Sequence, residues 1–331
     1  ATDAVAGSVA TFNLGSVFRR GGKLMAIKTW TRDGGAGPDD LAVFYSDQGE
    51  VAIYSGTDPA DASKWALVGV FHVGRPIGRR CMMTAGSDCY LITERGVVPL
   101  TQVMGTGESA PNLAITDKIQ GTWNSAVTNY RTVFGWEGIL YPRGNYALFN
   151  VPAGATTNFN QLVVNLGTGA WARFRGQDSY AWASLASDIY FGGSTKVYKA
   201  DDGTNDAGSA IEAVAKTGFL YYGGRDGPKR FTALRPVFAS DMALSISIGF
   251  DTDYRDGTSL FETSTTTSIS STWDSASWDA ADWAAPISTT QAWRSVADIG
   301  WNAAVRVRTS TTEQSVRWLA TDVRFEKGVG L

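Results

Sequence analysis

The sequence has little of the chemistry that most metalloproteins and membrane proteins need. Its 331 residues include two cysteines, Cys81 and Cys89, and a single histidine, His72. These three side chains cannot complete a zinc site of the usual type, which takes four cysteine or histidine ligands. No run of apolar residues approaches the ~18 that a membrane-spanning helix requires. We therefore predict no metal, no cofactor and no membrane span.

The sequence also lacks an excess of basic residues and has few thiols. Lysine and arginine number 29 against 32 acidic residues, a net charge of −3. Proteins that wrap nucleic acid neutralise its phosphates with an excess of basic residues, so this class is disfavoured, although a local basic patch is not. We expect Cys81 and Cys89 to be buried free thiols, the alternative being a disulfide across adjacent strands.

Glycine and aromatic residues are plentiful, and their arrangement predicts repeated β-sheets. The segment 41–55, LAVFYSDQGEVAIYS, has two apolar runs around Gly49 and is typical of a β-hairpin. Similar hairpins follow with turns at Gly96, Gly144 and Gly193. The four glycines are 47, 48 and 49 residues apart. An all-β unit repeated at this period is typical of a propeller.

The chain divides into two predicted regions, both all-β. Residues 1–227 are predicted to form a β-propeller-like domain of about four antiparallel blades, with a partly helical insertion at 102–130. The first blade has strands at 24–29, 41–46, 50–55 and 65–73, the third opens with a strand near 131–136, and the fourth ends with one at 210–220. Residues 228–331 are predicted to form a β-sandwich-like domain. Few propellers close with four blades and residue 1 is Ala1, so we expect an upstream segment.

No catalytic constellation emerges from the sequence. His72 lies in the apolar strand VFHVG without a serine or cysteine partner at a suggestive spacing, so a structural role is expected. Acidic residues in predicted loops leave a glycosidase pair open, but such residues are usually solvated turn residues. They are Asp33, Asp39, Asp40, Asp188, Asp201 and Asp202.

Two groups of residues are candidates for a subunit interface. Trp273, Trp278 and Trp283 are five residues apart, a spacing that fits neither a strand nor a helix. They either anchor a neighbouring subunit or pin an irregular loop to its own domain, and a sugar-stacking platform is a third alternative. The second group, Arg75, Arg79 and Arg80, forms either a rim of ion pairs or a contact to phosphate or to an acidic partner subunit.

Three phrases of the sequence resemble structural proteins of tailed phages. They are DDLAVFYSDQGEVAIYSGTDPADASKWALVGVFHVGRPIGRR at 39–80, YLITERGVVPL at 90–100 and VRWLATDVRFEKG at 316–328. The similarity is to the hub, nozzle and packaged-DNA-stabilisation proteins of short-tailed phages, which are built on β-propellers. The resemblance implies a non-enzymatic virion protein, made in the host cytoplasm and assembled as a homo-oligomeric ring, most often a hexamer.

The same resemblance implies a place and partners for the ring. It would extend and close the DNA channel, retain the packaged genome, and contact tail proteins on its adaptor or portal side and on its fibre or needle side. Double-stranded DNA would pass through without sequence-specific binding, which the mildly acidic charge suits. The alternative from another class is a glycan-binding or glycan-cleaving β-propeller that acts on cell-surface sugars through its loop acids and the tryptophan series.

Overall fold

The computed structural model describes residues 11–33, 38–106, 113–241, 244–256, 261–263, 288–290 and 292–328, and these form two compact units. The first unit covers residues 1–201 and the second covers residues 202–331. Both units are built almost entirely from antiparallel β-strands. The predicted all-β class is confirmed.

In the first unit, the strands that the structure describes form four sheets in chain order. The first sheet has β1 (Leu24–Asp33), β2 (Pro38–Ser46), β3 (Glu50–Gly56) and β4 (Trp65–His72). The second has β5 (Met82–Ala85), β6 (Asp88–Thr93) and β7 (Gly96–Pro99). The third has β8 (Glu137–Tyr141), β9 (Tyr146–Pro152), β10 (Phe159–Asn165) and β11 (Trp171–Arg175). The fourth has β12 (Ala181–Leu185), β13 (Asp188–Gly192) and β14 (Val197–Ala200).

Each of these sheets pairs strands that are consecutive in the chain, and the sheets pack on one another in series. The opening strands lie side by side: β1 against β5, β5 against β8, and β8 against β12. One core cluster joins the first three sheets through side chains such as Trp30, Tyr45, Leu91 and Phe149. Repeated antiparallel sheets whose opening strands adjoin are propeller-like blades.

The segment between the second and third sheets is partly helical, as the sequence predicts. It contains α1 (Leu100–Thr106), a 3-10 turn at Asp117–Ile119 and α2 (Gln120–Tyr130). Trp123 and Val127, one turn apart on α2, are buried in the core of the first three sheets. The Trp123 indole also donates a hydrogen bond to the carbonyl of Thr93, at 3.2 Å. The insertion is therefore part of the core rather than an appendage.

The repeat of glycine turns has an exception. Gly49 and Gly193 lie between the second and third strands of their sheets, and Gly96 is the first residue of the third strand of its sheet. Gly144, in contrast, lies between the first and second strands of the third sheet. The predicted strand at 131–136 is wrong, because these residues form a turn after α2. The third sheet begins instead at Glu137, so the turn at Gly144 follows its first strand and not its second.

The described residues of the second unit form eight strands in two sheets. They are β15 (Ile211–Lys216), β16 (Lys229–Ser240), β17 (Ile246–Thr252), β18 (Phe261–Thr263), β19 (Ser288–Thr290), β20 (Arg294–Gly300), β21 (Ala303–Thr311) and β22 (Val316–Lys327). One sheet has the order β15-β21-β17-β18, and in the other β16 pairs with β19, β20 and β22. Side chains from both sheets, including Phe231 and Phe250 with ring centroids 5.0 Å apart, share one core. This is the predicted β-sandwich-like arrangement.

The boundary between the two regions differs from the predicted division at 227/228. The compact units meet at residues 201 and 202. The predicted strand at 210–220 does not complete the fourth blade, because β15 pairs along its length with β21 of the sandwich. The fourth sheet consequently has three described strands. Every residue of β15 is exposed, so the strand has no buried face that would indicate which sheet it joins.

Candidate interaction surfaces

Arg80 joins the starts of three sheets. It precedes β5, and its guanidinium donates to Oε2 of Glu137 at 2.6 Å and to the carbonyl of Tyr180 at 2.8 Å. Glu137 opens β8, and the same Oε2 accepts the backbone N–H of Trp182 in β12 at 3.0 Å. Arg80 also lies over the ring of Phe134. Of the two alternatives for this residue, the structure shows the ion pair, made within the first unit.

The electrostatics of this pair are those of a structural contact. Burial raises the pKa of Glu137, while the Trp182 N–H and the Arg80 charge act in the opposite direction. A carboxylate with two donors on one oxygen has its charge compensated in place. Burial is nevertheless the larger effect, so the pKa of Glu137 lies above its usual value.

The other two arginines of the cluster do not share the position of Arg80. Arg75 is exposed and donates to Oε1 of Gln48 at 3.3 Å, and Arg79 is exposed. Their role at an interface stays a prediction. Trp273, Trp278 and Trp283 lie outside the described residues.

His72 and the cysteines are placed as structural residues. Arg20, which can only donate, lies 3.3 Å from Nε2 of His72, so this ring nitrogen accepts and is unprotonated. Burial, followed by the charges of Arg20 and Arg95, lowers the pKa of His72. Cys81 and Cys89 are free and buried, and burial raises the pKa of each thiol to about 12. Both cysteines are consequently unreactive.

The acidic residues form no recognisable metal-binding group in the part of the chain that the structure describes. No set of three potential metal ligands comes together there. Asp188, one of the acids singled out in the sequence, accepts from Arg143 at 2.8 Å and pairs with Lys199 at 3.0 Å. No helix among the described residues is long and apolar enough to cross a membrane.

The outer face of the first sheet is rich in exposed apolar groups. Phe44, Tyr54 and Trp65 point away from the second sheet, and Phe12 covers them with ring centroids 5.4–6.2 Å away. Phe12 itself remains 40% exposed. On the same face, Ile27 is opposite Phe44 and is 59% exposed. We call Phe12, Ile27 and Leu67 the first-sheet face.

The fourth sheet ends the series with a second exposed face. Trp182 and Ile189 point towards the third sheet and are buried with Leu148 and Val163. The residues that alternate with them point outwards. Leu185 is 68% exposed and Val197 is 74% exposed. We call Leu185 and Val197 the fourth-sheet face.

The second unit carries an exposed aromatic cluster next to a tight turn. Asp253 and Tyr254 both have positive φ, +52° and +58°. The Tyr254 ring packs on Phe219 at 4.7 Å, and its hydroxyl lies 3.2 Å from that of Tyr221. Arg225 stacks on Tyr221 at 4.5 Å. The cluster offers aromatic faces and polar groups side by side.

Comparison with known proteins gives a distant likeness of fold. No known family model and no curated protein matches the sequence. Among solved structures, the fold is similar to a glycoside hydrolase family 43 arabinoxylan arabinofuranohydrolase from Bacillus subtilis, solved in complex with cellotetraose. The identity is 8%, the TM-score is 0.28, and the match covers 92% of this chain and 79% of the other. A likeness at this level carries no functional argument.

Sequence reasoning missed both sheet faces. Ile27 and Val197 resemble ordinary strand residues, because alternation marks which residues share a face but not whether another sheet covers that face. The fourth-sheet face was hidden further by the strand wrongly assigned at 210–220. A signal was nevertheless present in the number of repeats, since four blades rarely close a ring.

Proposed function

We propose that this chain is a structural, non-enzymatic protein of a bacteriophage tail, which assembles with further copies into a ring around the DNA channel. The observation that carries the proposal is the series of four described sheets with exposed apolar side chains at each end, Ile27 on the first sheet and Leu185 and Val197 on the fourth. Large apolar side chains exposed on a sheet face are candidates for an interaction site. The resemblance of segments 39–80, 90–100 and 316–328 to short-tailed phage proteins supplies the biological setting.

The two faces fit a ring because they differ from one another. When the first-sheet face of one copy contacts the fourth-sheet face of the next, the contact is head-to-tail, and such contacts generate closed rings when the rotation closes. We propose six copies, following the phage resemblance. The net charge of −3 suits a conduit through which DNA slides, because strong phosphate attraction would hold the DNA back. The remaining tail proteins would bind the two ends of the ring.

The test is to disrupt each face and to measure self-association. Ile27→Lys on the first-sheet face and Val197→Lys on the fourth-sheet face should each reduce assembly, and both should lower incorporation into particles. Ile299→Lys is the matched control, because Ile299 is 69% exposed but lies on β20 of the second unit. Sedimentation and electron microscopy of particles give the readouts. A wild-type protein that stays monomeric and is absent from particles would overturn the proposal.

A second candidate function, glycan binding, is favoured by the aromatic cluster of the second unit. Tyr254 is 65% exposed and is held in place by Phe219 and Tyr221. Aromatic rings with an apolar face and a polar edge suit the mixed surface of a sugar. A glycan array with the wild type and Tyr254→Ala, together with a reducing-sugar release assay, separates this function from a purely structural one.

A further inference from the structure

The edge strand β15 of the second unit has an unusually accessible backbone. It pairs with β21 on one side, and no other described strand pairs with its second side. All six of its residues are exposed, and Val214 in the centre is 63% exposed. An exposed strand edge presents unpaired N–H and C=O groups that can pair with another strand.

The hydrogen bond of Thr217, the residue that follows β15, shows which backbone groups of the strand point away from β21. The Thr217 N–H donates to the carbonyl of Val305 in β21, at 2.9 Å. In antiparallel pairs, alternate residues of a strand bond to the same neighbour. Ile211, Ala213 and Ala215 therefore face β21 with their backbone groups. Glu212, Val214 and Lys216 direct theirs away from it.

The three outward residues have a self-complementary order. In an antiparallel pair of two β15 strands centred on Val214, Val214 lies opposite its own copy, and Glu212 lies opposite Lys216 of the second copy. A pairing centred on Glu212 or on Lys216 would instead place like charges opposite each other, which is destabilising. Charge thus selects the register in which all three outward residues pair.

We infer that β15 is a homotypic docking edge that pairs antiparallel with β15 of a second copy about a two-fold axis at Val214. The pairing joins the β15-β21-β17-β18 sheets of two sandwiches into one continuous sheet. Each of the three opposed pairs exchanges two backbone hydrogen bonds. Because a two-fold contact is self-complementary and closes on two copies, it is separate from the head-to-tail contact of the proposed ring.

The side chains already present at this edge are compatible with the pairing. Glu212 forms an ion pair with Arg308, and both side chains are more than half exposed. Lys216 pairs with Asp251 at 2.7 Å and Asp256 at 2.8 Å. All six residues of β15 stay exposed in the presence of these ion pairs. The incoming Glu212 lies opposite Lys216, which then has three carboxylates around its ammonium group.

The test is a symmetric disulfide at the two-fold axis. Hydrogen-bonded antiparallel residues have Cα atoms ~5.5 Å apart, within the range of a disulfide. Val214→Cys is expected to form a covalent dimer in mild oxidant, doubling the mass on a non-reducing gel. Ala213→Cys is the matched control, because Ala213 lies opposite Ala215 of the second copy and the two introduced thiols would be too far apart. The native cysteines are buried and should not cross-link.

A second variant tests the non-covalent pairing. Val214→Pro removes an N–H that points away from β21, a position at which edge strands tolerate proline. It should preserve the fold by circular dichroism and abolish the dimer in light scattering. Equal cross-linking of the Val214→Cys and Ala213→Cys variants, or a wild type that remains monomeric at high concentration, would overturn the inference. Loss of this dimer with retention of the ring, or the reverse, distinguishes the two contacts.

Discussion

The two units differ in how far along the chain their strands pair. In the first unit each sheet pairs strands that follow one another in the chain, as in the hairpin of β2 and β3. In the second unit β15 pairs with β21, placing Ile211 opposite Thr311, and β16 pairs with β22, placing Lys229 opposite Lys327. Pairing between consecutive strands can be located from the sequence, because the two strands and their turn lie side by side in it. Pairing between distant strands has no such local pattern, and it also slows folding.

The difference extends to the surfaces that each unit offers. The first unit exposes apolar sheet faces at Ile27 and Val197, whereas the second exposes a sheet edge at β15. A face is suited to burying apolar area, and an edge is suited to forming directional backbone hydrogen bonds. The two units are therefore equipped for different kinds of contact.

Substitutions in the two cores should have the largest effects. Trp30 is 1% exposed and donates to the carbonyl of Ser87 at 2.9 Å, and Phe231 is fully buried in the sandwich. We expect Trp30→Ala and Phe231→Ala each to lower the free energy of unfolding by about 3–5 kcal/mol. Hydrogen exchange resolved by segment should show loosening of β1–β7 for the first and of β16, β17 and β21 for the second. Equal loosening of both units by either change would contradict separate cores.

The strands of the first unit could be predicted because its pattern is local. Apolar runs and turn glycines such as Gly49 locate the strands of the first sheet to within a few residues. The error at 131–136 arose because TVFGW reads as a strand, while the preceding helix places these residues in a turn. The domain boundary was missed because the partner of β15 lies in β21, far along the chain.

The candidate surfaces were less predictable than the strands. The sequence marks Arg80 as one of three clustered arginines, but only the fold places it next to Glu137 and Tyr180. The exposure of Val197 depends on which sheet face points outwards, and that of the β15 edge depends on which strand lacks a neighbour. Both are properties of the assembled sheets. Catalytic chemistry, in contrast, depends on residue types, and the scarcity of histidine and cysteine is visible in the sequence itself.

The turn glycine of the organising hairpin gives the next largest effect. Gly49 has φ +89°, and a Cβ there would lie 2.6 Å from the carbonyl carbon of Gly74. Gly49→Ala should cost more than ~2 kcal/mol, because left-handed backbone strain adds to an overlap with main-chain atoms. Gly86→Asn is the control, since Gly86 has φ +61° and open space around it. Denaturant unfolding of the two variants measures the contrast, and equal stabilities would show that the turn is not constrained as described.

Removal of the Arg80 side chain tests how much the ion pair between Arg80 and Glu137 stabilises the packing of the sheets. Arg80→Ala leaves the largely buried Glu137 carboxylate without its cation, and we expect a loss of about 1.5–3 kcal/mol. Arg143→Ala removes a more exposed partner of Asp188, where Lys199 remains, and should cost less than about 1 kcal/mol. Chemical denaturation compares the two variants. A smaller loss for Arg80→Ala than for Arg143→Ala would show that the contact does not hold the sheets together.

The smallest effect should be a pH dependence that the first unit owes to His72. The lowered pKa of His72 means that the folded protein binds a proton less readily than the unfolded chain, whose histidine has a pKa of about 6.5. The contribution of His72 to stability is therefore complete above about pH 6.5, and it is lost as the pH falls from there towards the folded pKa. Because His72 is the single histidine, His72→Gln should flatten the stability profile between about pH 7 and pH 5. Urea unfolding across this range measures the profile. Parallel profiles for wild type and variant would mean that protonation of His72 is not coupled to folding.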